Sequence, residues 1–171
     1  MSAWYRRLTD AEWQAATDEA VKARDIAHQL GRANRAGLAR SDELLAMAMG
    51  VAGEMAFSAM TGLPRLHLLH DPAGIGAPDF APDIELVTRS RATYDLLIRP
   101  EREPARRFVL MVCVFPWAFE ARGWLPGRVA MQDAYLQAYA GRPAAYFVPQ
   151  QQLLPMPTFT LQPSVPLALP W

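Results

Sequence analysis

Three carboxylates fall within seven residues, Asp79 to Glu85, in the stretch Pro78-Asp79-Phe80-Ala81-Pro82-Asp83-Ile84-Glu85-Leu86-Val87-Thr88-Arg89. Its second half alternates polar and aliphatic residues, which predicts a strand. Asp83, Glu85, Val87 and Arg89 then share one face, with Ile84, Leu86 and Thr88 on the other. Pro82 suits the first residue of a strand, where no ladder donor is needed. The two prolines bracket a short turn that folds Asp79 back toward Glu85. Carboxylates meeting at the mouth of a strand suit a hard, oxygen-loving cation such as Mg²⁺ or Mn²⁺. The plainer alternative is a solvated hairpin with acids on its wet face.

A further carboxylate lies upstream. From Leu44 to Met60 the chain reads LLAMAMGVAGEMAFSAM, in which Glu54 is the sole charge. A helix that is apolar all round is a buried helix. A carboxylate inside it must be paired, hydrogen-bonded, metal-bound or protonated. Gly50 and Gly53 weaken such a helix, so close packing of another chain segment is expected beside Glu54. Pairing with one of the sixteen arginines is the structural alternative to a metal role.

Glu54 in a Gly-x-x-Gly-Glu helix, Pro78-Asp79 and Ile84-Glu85 together resemble the PD-(D/E)XK nuclease superfamily, and most closely its small phage and mobile-element members. The likeness extends to Gly123-Trp124-Leu125-Pro126-Gly127-Arg128-Val129-Ala130-Met131 and to Gly141-Arg142-Pro143-Ala144-Ala145-Tyr146-Phe147-Val148-Pro149, covering roughly residues 10 to 155. The resemblance implies a restriction-endonuclease-like α/β fold, a central mixed sheet flanked by helices. It also implies Mg²⁺-dependent DNA cleavage. Asp79, Glu85 and the Leu86 carbonyl would hold the metal, and Glu54 would hold the metal or its water. The motif lysine is replaced by Val87, and the only lysine, Lys22, lies in the first predicted helix. Arg89, two residues further along the same strand face, is the expected substitute cation. Being permanently protonated, it would stabilise charge without accepting a proton. A second reading stands beside this one: a nuclease fold without turnover, serving as a binding or structural part of a phage-type assembly.

The elements that must position these residues follow from pattern. The 171 residues suit one domain with a substantial core, and equal numbers of acids and bases give no net charge to favour nucleic acid. A single cysteine, Cys113, excludes an intrachain disulfide and is expected to be buried. The opening residues lack the apolar core of a signal peptide. Leu44–Met60 is short for a membrane span and carries Glu54. A cytoplasmic or virion-associated protein without membrane contact is therefore expected. Thr9 and Glu12 form a capping box for a helix over residues 10–30, followed by an arginine-bearing loop to Arg40. Ser41 is expected to cap the second helix, which Gly62-Leu63-Pro64 ends. Strands are expected at Leu66–His70, Tyr94–Arg99, Phe108–Phe115, Ala118–Trp124 and Ala144–Val148, with a helical region at Gly127–Tyr139. His67 and His70 diverge on a strand and form no metal pair. Pro155–Trp171, uncharged and with five prolines, can form neither helix nor central strand. It is expected to dock, as an extended tail, on the 1–154 domain, a neighbouring subunit or a phage-protein partner.

Overall fold

The computed structural model describes residues 4–29, 40–71, 76–138 and 143–160. The chain begins with a short strand, β1 (Tyr5–Arg7), and two helices, α1 (Asp10–Gln29) and α2 (Arg40–Thr61). Strands β2 (Ile84–Arg89), β3 (Leu96–Ile98), β4 (Arg107–Phe115) and β5 (Ala118–Pro126) follow. A single helical turn, α3 (Gly127–Ala130), precedes β6 (Leu136–Gln137) and β7 (Ala145–Val148). The larger sheet has the order β1-β5-β4-β2, with β2 parallel to β4 and the other pairs antiparallel; a smaller antiparallel sheet has the order β3-β7-β6. The architecture is therefore mixed α/β with a mixed central sheet.

Alternation along β4 divides the interior. Val109 and Met111 join Val51, Ala52, Ala56 and Phe57 of α2 in one apolar cluster. Phe108, Leu110 and Val112 face the other way, joining Leu96, Ile98 and Val148 of the smaller sheet. β2 obeys the same rule, with Ile84 and Leu86 in the α2 cluster and Val87 against the other. Although α2 has the length and hydropathy of a membrane span, here it covers the central sheet.

α1 begins on the expected capping box: the Glu12 N–H donates to Thr9 Oγ1 and the Thr9 N–H to Glu12 Oε2. Its inner face is alanine, with Ala16, Ala20 and Ala23 buried, so α2 approaches closely. A closer approach occurs between α2 and β2. A Cβ on Gly53 would lie 2.1 Å from Thr88 Oγ1, whereas one on Gly50 would meet nothing within 4 Å. Gly53→Ala is thus expected to cost about 1–3 kcal/mol by overpacking, and Gly50→Ala to stabilise by up to about 1 kcal/mol through helix propensity. Urea unfolding of the two variants checks this, and Thr88→Ala in the Gly53→Ala background should recover most of the loss.

Several elements differ from expectation. Leu66–His70 forms no strand. Its backbone is bonded outside any sheet: Leu66 donates to the Asp79 carbonyl and Leu69 to Glu19 Oε1 of α1, while the Leu68 carbonyl accepts from Asp71. The helix expected over Gly127–Tyr139 ends at Ala130, giving way to a 3₁₀ turn at Asp133–Tyr135 and then β6. α2 starts at Arg40, so Ser41 lies inside the helix; residues 30–39, where the arginine-bearing loop was expected, lie outside the described residues. Cys113 is half-buried, with its thiol donating to the Phe115 carbonyl.

The start of the expected tail docks on the domain. Met156 and Phe159 are buried in the α2 cluster, and Leu154 exchanges two backbone hydrogen bonds with Trp124. The first part of the tail belongs to the domain. Residues 161–171, where a subunit or partner contact was expected, lie outside the described residues.

Candidate functional site

β2 is an edge strand of the larger sheet, and its free edge organises the candidate site. Ile84 exchanges both of its backbone hydrogen bonds with Phe80 across a tight turn. In a strand, a residue's N–H and C=O point to the same side. Leu86, two residues on, therefore turns both groups toward that same free edge. Its N–H donates to Asp79 Oδ2 at 2.7 Å, so the turn brings the Asp79 carboxylate against β2. The Leu86 carbonyl faces the same space.

A cleft of about 430 Å³ runs along this edge. Gly50 and Glu54 line it from α2, residues 85–88 from β2, and Arg99 and Arg102 from the connection after β3. Glu54 and Glu85 thus share one cavity, and Asp79 is held at the Leu86 backbone that lines it.

The acids are electrostatically linked. Burial, then the charge of Asp79, raises the Glu54 pKa to about 8 despite the Arg65 guanidinium. Arg65 is shared: it donates from Nε to Glu54 Oε2 at 2.8 Å and forks across both oxygens of Glu19 at 2.9 and 2.7 Å. Burial, then the charge of Glu85, raises Asp79 to about 6; its bond from Leu86 and the charges of Arg102 and Arg106 act in the opposite sense. Burial works against the charge on Arg65, but Glu19 and Glu54 outweigh it and hold its pKa above the usual arginine value.

Glu85 is itself buried and doubly paired. Arg102 Nη1 lies 2.7 Å from Oε1, and Arg106 Nη1 lies 2.5 Å from Oε2. Arg106 also donates to the carbonyls of Gly76 and Ala77, fixing the turn that carries Asp79. The cations beside Glu85 therefore come from the connection between β3 and β4.

Arg89, the expected substitute, is not among them. Its guanidinium lies 4.8 Å from the centre of the Tyr94 ring. Burial, offset in part by Tyr94 and Asp95, lowers its pKa. The reason is distance: two steps of two residues along a strand span roughly 13 Å, and Tyr94 captures the side chain at that end. Arg65, Arg102 and Arg106 were missed because nothing local marks them. Arg102 and Arg106 sit in a charged stretch between the strands expected at Tyr94–Arg99 and Phe108–Phe115, with no periodicity to single them out.

Among the described residues, no group of three or more His, Cys, Asp or Glu side chains is assembled as a ready-made metal site. The donor chemistry nevertheless fits a hard cation. Asp79, Glu85, Glu54 and the Leu86 carbonyl offer oxygen only, and the mutual repulsion of the acids is what a cation would relieve. His67 lies 3.5 Å from Asp71 and contributes nothing to this edge. No family model matches the chain, and no curated protein or solved structure matches it.

Proposed function

We propose that this chain is a divalent-metal-dependent phosphodiesterase acting on DNA, on a restriction-endonuclease-like variant of the mixed-sheet fold. One observation carries the reading. Glu54 of a helix and Glu85 of a strand line one cleft, and Asp79 of a turn is held at the Leu86 backbone beside it, close enough for Asp79 to raise the proton affinity of Glu54 and Glu85 that of Asp79. Perturbed carboxylates of this kind concentrate at functional sites.

Asp79, Glu85 and the Leu86 carbonyl would hold Mg²⁺ or Mn²⁺, with Glu54 beside them. Bound there, the metal would polarise a phosphate and lower the pKa of an attacking water. The chain supplies the rest. The Leu86 N–H fixes Asp79, and Arg106 fixes both Glu85 and the turn. Arg65 takes Glu54 Oε2, leaving Oε1 to accept a proton from water. A pKa near the working pH suits a general base. Arg102 supplies the positive charge that Val87 lacks, stabilising charge on the phosphate without taking a proton.

Metal at ten times its Kd should stabilise the fold by about 1.4 kcal/mol, raising Tm by about 3–6 °C. Asp79→Ala should abolish the shift, and Mg²⁺-dependent plasmid nicking should disappear with it or with EDTA. A wild-type melting curve unmoved by Mg²⁺ and Mn²⁺ would refute the metal-dependent reading.

A second reading has its own observation: Val87 packs against the apolar cluster of Leu96, Ile98 and Phe108. That packing suits a nuclease fold without turnover, acting as a binding or structural part of a phage-type assembly. Val87→Lys separates the two. Val87 also lines the cleft, so on the hydrolase reading the new ammonium reaches Glu85 and nicking increases. On the binding reading, the lysine is an unpaired charge that destabilises the fold, and neither protein nicks DNA.

A further inference from the structure

Two arginines hold Glu85, and their settings differ. Arg106 has a side chain only 6% exposed and donates to two backbone carbonyls besides the carboxylate. It is anchored. Arg102 has a side chain 41% exposed, stands at the cleft and is paired to Glu85 Oε1 at 2.7 Å. The Glu85 side chain is 4% exposed, so these two guanidinium groups occupy both of its oxygens. Glu103 Oε2 lies 3.8 Å from Arg106 Nε but is 70% exposed and offsets that guanidinium only weakly, so at Glu85 one buried negative charge faces two positive ones and a cation is repelled. With Arg102 withdrawn, Arg106 alone balances Glu85 and Oε1 is free.

We propose that Arg102 is a substrate-operated latch on Glu85. Without DNA it closes Oε1; with DNA, its guanidinium passes to a backbone phosphate and leaves Glu85 to the metal. This rests on the phosphodiesterase reading and adds regulation to it. A guanidinium fork matches the phosphate oxygens as well as it matches a carboxylate, and the exposed partner of an ion pair is the one free to exchange. Metal and DNA then bind cooperatively, each strengthening the other by the same factor. Arg102 thus has two partners, Glu85 and the substrate phosphate, and which of them it holds decides when the site accepts a cation.

The test is calorimetric titration of the full chain with Mn²⁺, alone and with a short phosphorothioate DNA duplex. Arg102→Ala should bind Mn²⁺ alone about tenfold more tightly than wild type, and the duplex should tighten wild type by a similar factor while leaving the variant unchanged. Arg99→Ala removes an equal charge from the same cleft, but Arg99 forms no ion pair with Glu85 among the described residues. It should gain less than about threefold, the screened effect of a distant charge. Equal gains in the two variants would reduce the latch to general electrostatics and overturn it. Metal binding by wild type with no gain in Arg102→Ala, or no effect of the duplex on wild type, would overturn the latch and leave the phosphodiesterase reading. Absence of Mn²⁺ binding in wild type and variant, both folded by circular dichroism, would overturn the two together.

Discussion

Arg65→Ala is expected to lower the unfolding free energy by about 3–5 kcal/mol, with the larger loss in alkaline solution. Arg65, Glu19 and Glu54 have side chains 13%, 12% and 17% exposed, so the substitution leaves two nearly buried acids without their cation. The pH dependence follows from Glu54. Its folded pKa, about 8, lies above its ordinary value of 4.5, so between those values the folded state binds more protons than the unfolded one. Stability then falls as pH rises across that window. Asp79 adds the same sign between 3.8 and about 6. Without Arg65, Glu54 stays neutral further into the alkaline range, and ionising it there costs more. Urea unfolding of metal-free protein at several pH values measures this slope. Glu54→Gln should flatten it and soften the alkaline loss of Arg65→Ala. A pH-independent loss below about 1 kcal/mol would place the network with ordinary surface pairs.

Arg106→Ala is the second large effect, expected to cost about 3–5 kcal/mol by breaking a buried charge pair. It leaves Glu85 with only Arg102 and strips the Gly76 and Ala77 carbonyls of their donor. The turn carrying Asp79 loses its tie to β4. Hydrogen exchange should show faster exchange at the Leu86 amide, which donates to Asp79. Arg102→Ala, by contrast, should cost much less, because its side chain is 41% exposed and Glu85 keeps its pair with the buried Arg106. Comparable losses in the two variants would contradict the division between anchor and latch.

What was legible in the chain were features written in local periodicity. The continuous apolar run from Phe108 reads as a buried strand and forms β4; alternation from Ile84 sets the faces of β2; Thr9 and Glu12 mark the start of α1. The acids themselves stand out because charge is conspicuous on an apolar helix and beside paired prolines. Illegible were features created by distant partners. β1 is three polar-leaning residues with no periodic signal, a strand only because residues 118–120 pair with it. Leu66–His70 has strand-like composition, but a carboxylate from α1 takes one of its amides. Glu54 needed a partner, yet which arginine supplied it depends on where the segment after α2 folds back.

The hold on Phe159 has a bearing on how the molecule is made. Its ring lies edge-on to Phe57 of α2 and to Trp124 of β5, with the Arg107 guanidinium 5.1 Å from its centre. Arg107 is fully buried and bonded to both Asp83 and the Thr160 carbonyl. During translation, α2, β4 and β5 leave the ribosome before the residue that covers them. Phe57 and Trp124 stay uncovered, and Arg107 stays short of an acceptor, until residues 159 and 160 emerge. Closure of this face therefore waits for residues about a hundred positions further along the chain than Phe57, with the exposure to aggregation that long-range closure brings. A chain stopped before Leu154 would lack both the Trp124 backbone partner and the Phe159 cover, and is expected to expose the α2 face to chaperones and proteases.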